Sequence, residues 1–286
     1  KSLFVLVMYA LSKKASESGA RFLLISHMRG HLVDMDRLME IVSDNNLILI
    51  EDCAHTMGAQ WKKQKSGNFG LAGCFSTQTY KHLNSGEGGF LTSDDEDFMA
   101  RAIIYSGSYM FYERHGAAPK PEAFADVRLQ TPNYSGRMDN LRAAILRPQL
   151  TNLEKNINRW NERYQLVESE LKGAKGIEVP VRFEEERYVG SSIQFRIPGI
   201  TEAEAELFIE KNKQLGVELK WFGNDNPSGF TSNHKSWKYV SQQQLNQSDE
   251  ILSNLFDLRL PLTFSLEDCN HLSEIIIECS NEFLSK

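Results

Sequence analysis

The sequence predicts an α/β protein: a mainly parallel sheet covered by helices, followed by a smaller C-terminal α+β domain. Three observations carry this. Short apolar runs alternate with helical segments through the first half, as strands joined by helical crossovers do. Met138 to Leu171 then reads as one long helical pattern, with Pro148 as the place for a kink. After Gly173 the texture changes to strands with a single intervening helix. The boundary therefore falls at 1–150 for the large domain and 151–286 for the small one.

Taken in order, Leu3 to Leu11 is apolar but short. A lone lysine and no clear small-residue cleavage site make it an interior strand or a helix start rather than a signal peptide. Arg21 to Ser26 reads as a buried strand. Asp34 to Asp44 is helical, with Leu38, Met39, Ile41 and Val42 on one face. Leu47 to Glu51 is a continuous apolar strand, and Gly73–Thr77 and Gly89–Thr92 are two more. Asp94 to Tyr105 is a helix with acids in its first turn, as the helix dipole favours. Ser106 to Ser135 is irregular, with three prolines and the aromatics Tyr109, Phe111, Tyr112 and Tyr134, and is expected to be a packed functional loop. Ile177–Val181, Ser191–Ile197 and Gly216–Trp221 read as strands, with a helix at Glu202–Gln214. Ser265 to Phe283 is an amphipathic helix with Ser265 as its cap. There is no internal repeat and no low-complexity tract.

Composition narrows the function. Of 286 residues, 41% are hydrophobic and 24% charged, an ordinary globular balance. A net charge of -6 argues against a phosphate-tracking surface, so nucleic acid is not an expected partner. No apolar run reaches the roughly 18–20 residues of a membrane span, so no membrane partner is expected either. Cys53, Cys74, Cys269 and Cys279 show no CxxC or zinc spacing. They read as reduced thiols of a cytoplasmic protein, small buried hydrophobes rather than metal ligands.

The chemistry is concentrated in two residues. Asp52 ends the run Leu47-Ile48-Leu49-Ile50-Glu51. Lys81 follows 29 residues later, ahead of Gly86-Glu87-Gly88-Gly89. A strand-end carboxylate and a lysine before a glycine-rich turn suit pyridoxal 5'-phosphate (PLP). The lysine forms the Schiff base, and the aspartate keeps the pyridine nitrogen protonated so that the ring can accept electrons.

Around this pair the chain resembles the DegT/DnrJ/EryC1/StrS sugar aminotransferases of PLP fold type I. The resemblance rests on Ile50-Glu51-Asp52-Cys53-Ala54-His55-Thr56-Met57-Gly58-Ala59, Phe69-Gly70, Cys74-Phe75-Ser76, Lys81-His82-Leu83 and Gly86-Glu87-Gly88-Gly89. It continues through Gly136-Arg137-Met138-Asp139, Ala143-Ala144-Ile145-Leu146 and Leu260-Pro261-Leu262, and runs from about His27 onward. It implies that Lys81 is the Schiff-base lysine and moves the proton, and that Asp52 faces the pyridine nitrogen. His55, where the family more often has glutamine, would stack on or hydrogen-bond the cofactor ring. Ser76 would donate to its phosphate. Asn133 and Ser135 are both candidates for a residue that crosses a homodimer to the partner's cofactor, and Arg137 has a structural or interface role. His234 matches, loosely, a histidine near the sugar.

The implied activity is transfer of an amino group from an amino acid, glutamate by family analogy, to a nucleotide-linked keto-sugar. Two alternatives stay open: a non-catalytic homologue that binds a ligand or partner, and a sugar dehydratase. Dehydratases of this fold carry histidine where Lys81 stands, which favours transamination. The family also has a preceding segment, with a Gly-Thr or Gly-Ser phosphate turn and an aromatic residue on the cofactor ring. Neither is found here, so the chain is expected to be a fragment, a divergent member or one piece of a split protein.

Overall fold

The computed structural model describes residues 3–107, 112, 116–224, 234–238 and 241–284. Two compact units emerge: Lys1–Glu154 with Phe183–Val189, and Lys155–Arg182 with Gly190–Lys286.

The first unit opens with a helix, α1 (Leu3–Ser18), where the sequence left a strand or a helix start open. Strand β1 (Phe22–Ser26), helix α2 (Met35–Asp44) and strand β2 (Ile48–Asp52) follow. Asp34 caps α2 by accepting from Arg37 N at 3.0 Å, and the helix buries Met35, Leu38, Ile41 and Val42. After a small hairpin of β3 (Gln60–Trp61) and β4 (Gln64–Lys65) come β5 (Ala72–Ser76) and β6 (Gly89–Thr92). The sheet order is β1-β2-β5-β6. The first three strands are parallel, and β6 returns antiparallel to β5.

In this register Ser26, Asp52 and Cys74 stand side by side on one face, Ser26 and Asp52 at the carboxyl ends of β1 and β2 and Cys74 at the middle of β5. The opposite face buries Leu49 and Glu51. The sequence predicted a sheet covered on both faces. Here the face of Asp52 also carries Phe22 and Leu24, which are 59% and 66% exposed.

The segment after α3 (Glu96–Ser106) is less irregular than its sequence suggested. A short turn of helix at Pro121–Phe124 and α4 (Val127–Gln130) fold back on α3. Tyr112 stacks on Phe124 at 4.3 Å, in a cluster with Ala100, Ile103, Ile104 and Val127. Tyr109 and Phe111 lie outside the described residues.

The long helix is two helices, α5 (Asn140–Thr151) and α6 (Leu153–Gly173). Pro148 lies inside α5, and the break comes four residues later. There Asn152 donates to Pro148 O from both its backbone (3.3 Å) and its side-chain amide (2.8 Å). Farther on, β7 (Glu186–Arg187) pairs with β3 in the first unit.

The second unit has a three-stranded antiparallel sheet, β8 (Ser192–Arg196), β10 (Leu255–Arg259) and β9 (Leu219–Trp221), in that spatial order. Helix α7 (Glu202–Gln214) begins with a capping box of Thr201 and Glu204. Helices α8 (Asn246–Leu252) and α9 (Leu266–Leu284) complete it, and Ser265 caps α9 by accepting from Asp268 N at 3.0 Å. The strand expected at Ile177–Val181 reduces to one bridge, Glu178 with Arg196. Pro180 has no N–H with which to continue the ladder. Strand β10 went unpredicted because Asp257 and Arg259 interrupt its apolar pattern. Asp257 is buried and accepts from Gln194 Nε2 at 2.6 Å.

Three buried phenylalanines pack together in the core of this unit. Phe256 stacks on Phe195 at 5.6 Å and meets Phe208 edge-on at 5.0 Å. Phe256→Ala should therefore cost about 3–5 kcal/mol of stability, read from urea unfolding. A loss below about 1 kcal/mol would show that the site collapses without a cavity.

Candidate active site

Asp52 ends β2 and is held by two donors, one for each oxygen. Ala54 N donates to Oδ1 at 3.0 Å and Ser26 Oγ to Oδ2 at 2.9 Å. The carboxylate therefore stands at the carboxyl end of a parallel sheet, where open α/β sheets bind ligands. Cys74, its neighbour on the other side, is exposed rather than the buried hydrophobe expected. Partial burial and then the Asp52 charge push its thiol pKa up, so it stays protonated at neutral pH.

Lys81 lies in the loop between β5 and β6. The strand pairing runs on past β5, with Thr77 N donating to Gly88 O and Thr79 N to Gly86 O, both at 2.9 Å. Gln149 of α5 grips the loop from outside: Asn84 N donates to its Oε1 at 3.0 Å, and its Nε2 donates to Asn84 O at 2.7 Å. At Gly88 φ is 124°, and a Cβ there would come within 2.9 Å of Thr77 Oγ1. Glycine is thus required for both conformation and space. Tyr80 also has positive φ, 77°, an outlier for a bulky residue that costs about 1 kcal/mol or more. The bonds on either side hold it, and Lys81 follows it directly.

Lys81 Nζ is 3.1 Å from His55 Nε2. An ammonium has only donors, so against a charged lysine Nε2 must be the unprotonated ring nitrogen. Ser76 Oγ accepts from Gln78 N at 3.2 Å, and that bond does not use its own O–H.

Behind Asp52, on the buried face, Glu51 is fully enclosed. Its Oε2 accepts from His27 Nε2 at 3.1 Å and from Gly67 N at 2.9 Å. Its Oε1 accepts from Phe69 N at 2.8 Å and from Gly70 N at 3.2 Å. Burial alone would push this carboxyl up. The His27 bond and the three backbone N–H groups outweigh it and hold the pKa below the usual carboxylate range. Cys53 completes a buried trio with ligand atoms within 4.8 Å of one another, the spacing of a metal site. The chemistry does not suit one. Glu51 already has four donors, and burial followed by the Glu51 charge pushes the Cys53 thiol up to about 12.

The remaining predicted residues are placed elsewhere. Asn133 Oδ1 accepts from Ser135 N at 2.8 Å, and Tyr134 N donates to Tyr105 O at 2.9 Å, so this stretch docks on the end of α3. Arg137 donates to Gly107 O at 3.0 Å, a bond within this chain. Within this chain these bonds do not join Asn133 or Ser135 to Lys81. His234 belongs to the second unit, where its Nε2 is 2.6 Å from Asp249 Oδ1. Sequence reasoning did not find Ser26, His27, Glu51 or Gln149. Their contacts described above span 16 to 65 residues and depend on the fold being formed first.

A family model of the DegT/DnrJ/EryC1/StrS aminotransferases matches residues 7–276. The chain belongs to this family. The match starts ahead of the point, near His27, where the motifs become readable by eye. Among relatives, 3-amino-5-hydroxybenzoate synthase of Amycolatopsis mediterranei is 30% identical over 196 residues, 67% of this chain and 47% of that protein. GDP-perosamine synthase of Caulobacter vibrioides is 31% identical over 131 residues, 46% of this chain and 32% of that protein. The matched stretch thus spans less than half the length of these curated relatives. A crystal structure of GDP-4-keto-6-deoxymannose-3-dehydratase with a trapped PLP-glutamate geminal diamine superposes with a TM-score of 0.76. Its sequence identity is 20%, and the match covers 94% of this chain and 70% of that one.

PLP is the cofactor of the DegT/DnrJ/EryC1/StrS family, and the donor set here fits it. An oriented strand-end carboxylate, an amine against a histidine and a serine hydroxyl match its ring nitrogen, aldehyde and phosphate in chemical kind.

The buried Glu51 makes a testable demand on the family fold. Its folded pKa lies below the unfolded value of about 4.3. It therefore contributes stability that is complete above about pH 5 and is lost as pH falls through the folded value. Glu51→Gln leaves too few acceptors for four donors and should cost about 3 kcal/mol at pH 7. It should also flatten the acid limb of the stability–pH profile, measured by urea unfolding. An unchanged acid limb would assign that dependence to other carboxyls.

Proposed function

We propose that the protein is a PLP-dependent aminotransferase that carries an amino group from glutamate to a keto-sugar, held as a nucleotide sugar. The observation that carries this reading is Lys81 Nζ against His55 at the end of the sheet that presents Asp52. The names of the relatives support a sugar or sugar-derived acceptor, and the glutamate trapped in the dehydratase crystal supports the donor. We further propose that the protein works in the cytoplasm as a homodimer. Asn133 or Ser135 of each copy would then serve the other copy's cofactor, and His234 would contact the sugar.

When bound, PLP supplies an aldehyde for amine exchange and a ring that takes up electrons as the donor's Cα–H bond breaks. The chain's own residues do the rest. Lys81 Nζ takes the proton from the donor's Cα. His55 Nε2, within hydrogen-bond reach of Nζ, accepts and returns a proton so that Nζ is neutral when needed. Asp52 presents an oriented acceptor to a ring N–H, and Ser76 donates its hydroxyl to a phosphate oxygen. A dehydratase would use the same sheet but has no need of a basic lysine at this position.

Borohydride reduction in the presence of PLP, followed by peptide mass mapping, should place the pyridoxyl group on Lys81. A label on another lysine would overturn the site. Asp52→Asn should retain PLP and lose several orders of magnitude in glutamate turnover, since a neutral amide holds no ring proton. Near-normal turnover would assign the ring partner to another residue.

A further inference from the structure

We propose that Ser26 is a positioning residue: its hydroxyl holds the Asp52 carboxylate in the orientation that receives the cofactor's ring nitrogen. This inference rests on Asp52 being the ring partner.

The geometry is specific. Ser26 and Asp52 are register partners on adjacent parallel strands, so their side chains leave the same face at the same height. Ser26 Oγ is 2.9 Å from Asp52 Oδ2. An ionised carboxylate is acceptor-only, so the hydroxyl must be the donor. Ala54 N occupies Oδ1 at 3.0 Å. One donor on each oxygen fixes both side-chain torsions of Asp52 and leaves a lone pair on each oxygen for a ligand. Without Ser26, only the Ala54 bond remains of these two, and rotation about it is permitted.

Three features set Ser26 apart from an ordinary strand serine. On this face β1 reads Phe22, Leu24, Ser26: the apolar alternation turns polar at the rung of Asp52. That junction is also fixed on the other face, where His27 bonds Glu51 at 3.1 Å, and through the backbone, where His27 N donates to Asp52 O at 3.1 Å. The strand ends thus cannot slide, and the Ser26–Asp52 distance is imposed rather than incidental. On the far side of Asp52, Cys74 offers only a protonated thiol, a weak donor. Among these lateral neighbours on the open face, the strong donor is Ser26.

The test uses Ser26→Ala and Ser26→Thr in the full chain, with two readouts. In the first, PLP is titrated into each protein and followed by its absorption. Ser26→Ala should weaken PLP binding by about fivefold to tenfold, the loss expected when a charge-assisted hydrogen bond to the ring is loosened. It should also shift the pH midpoint of the bound cofactor's visible band. Ser26→Thr, which keeps the hydroxyl, should restore both to within about twofold, a rescue that a purely structural role would not produce. The second readout needs no cofactor. A double-mutant cycle of Ser26→Ala with Asp52→Ala should show coupling of about threefold in the unfolding equilibrium constant. Unchanged PLP affinity and band midpoint in Ser26→Ala, or a cycle with no coupling, would overturn the proposal. If the unaltered chain takes up no PLP at Lys81, the aminotransferase reading fails by itself, and the cycle alone decides whether Ser26 holds Asp52.

Discussion

The buried carboxylate of Glu51 is the constraint on which this sheet end depends. A charge with no water around it must be satisfied by fixed donors. Here they come from His27 at the end of β1 and from the backbone of Gly67, Phe69 and Gly70. The carboxylate thus ties β1, β2 and the turn before β5 to one point. The geometry of Asp52, one residue later on the opposite face, follows from it. So does the demand for glycine at position 67, where a Cβ would meet the Phe75 ring at 2.6 Å.

A rigid platform of this kind explains how two reactive groups far apart in sequence can be presented by separate devices. Asp52 is fixed by strand register and by local donors. Lys81 rides a loop whose two ends are zipped by β5–β6 pairing and whose outer rim is held by Gln149. The strained backbone of Tyr80 is the cost of this arrangement. Backbone hydrogen bonds of Thr79 and Lys81 flank it on either side.

Much of this was legible in the sequence. Strands rich in Leu and Ile showed as unbroken runs, and Asp52 and Lys81 were marked by their flanking residues. The cap at Ser265 is local and was readable for that reason. What escaped depends on partners distant in the chain. Glu51 reads as one more strand residue until His27 and the 67–70 turn are brought to it. Strand β10 escaped because a buried Asp257 mimics a surface residue until Gln194 is placed beside it. Pro148 misled for a different reason. The proline removes one N–H, but its carbonyl becomes the acceptor on which the helix actually ends, at Asn152.

The exposed apolar residues of β1 have a consequence for handling the protein. Among the described residues β1 is the outer strand of its sheet and exposes Phe22 and Leu24, and an edge of that kind is a template on which a further strand can add. The charge of Arg21, whose guanidinium lies 5.9 Å from the Phe22 ring, blunts only the first rung. A strand added there would cover both apolar side chains and extend the ladder, whatever the overall charge of the molecule. A single charged side chain at position 24 would oppose such an addition.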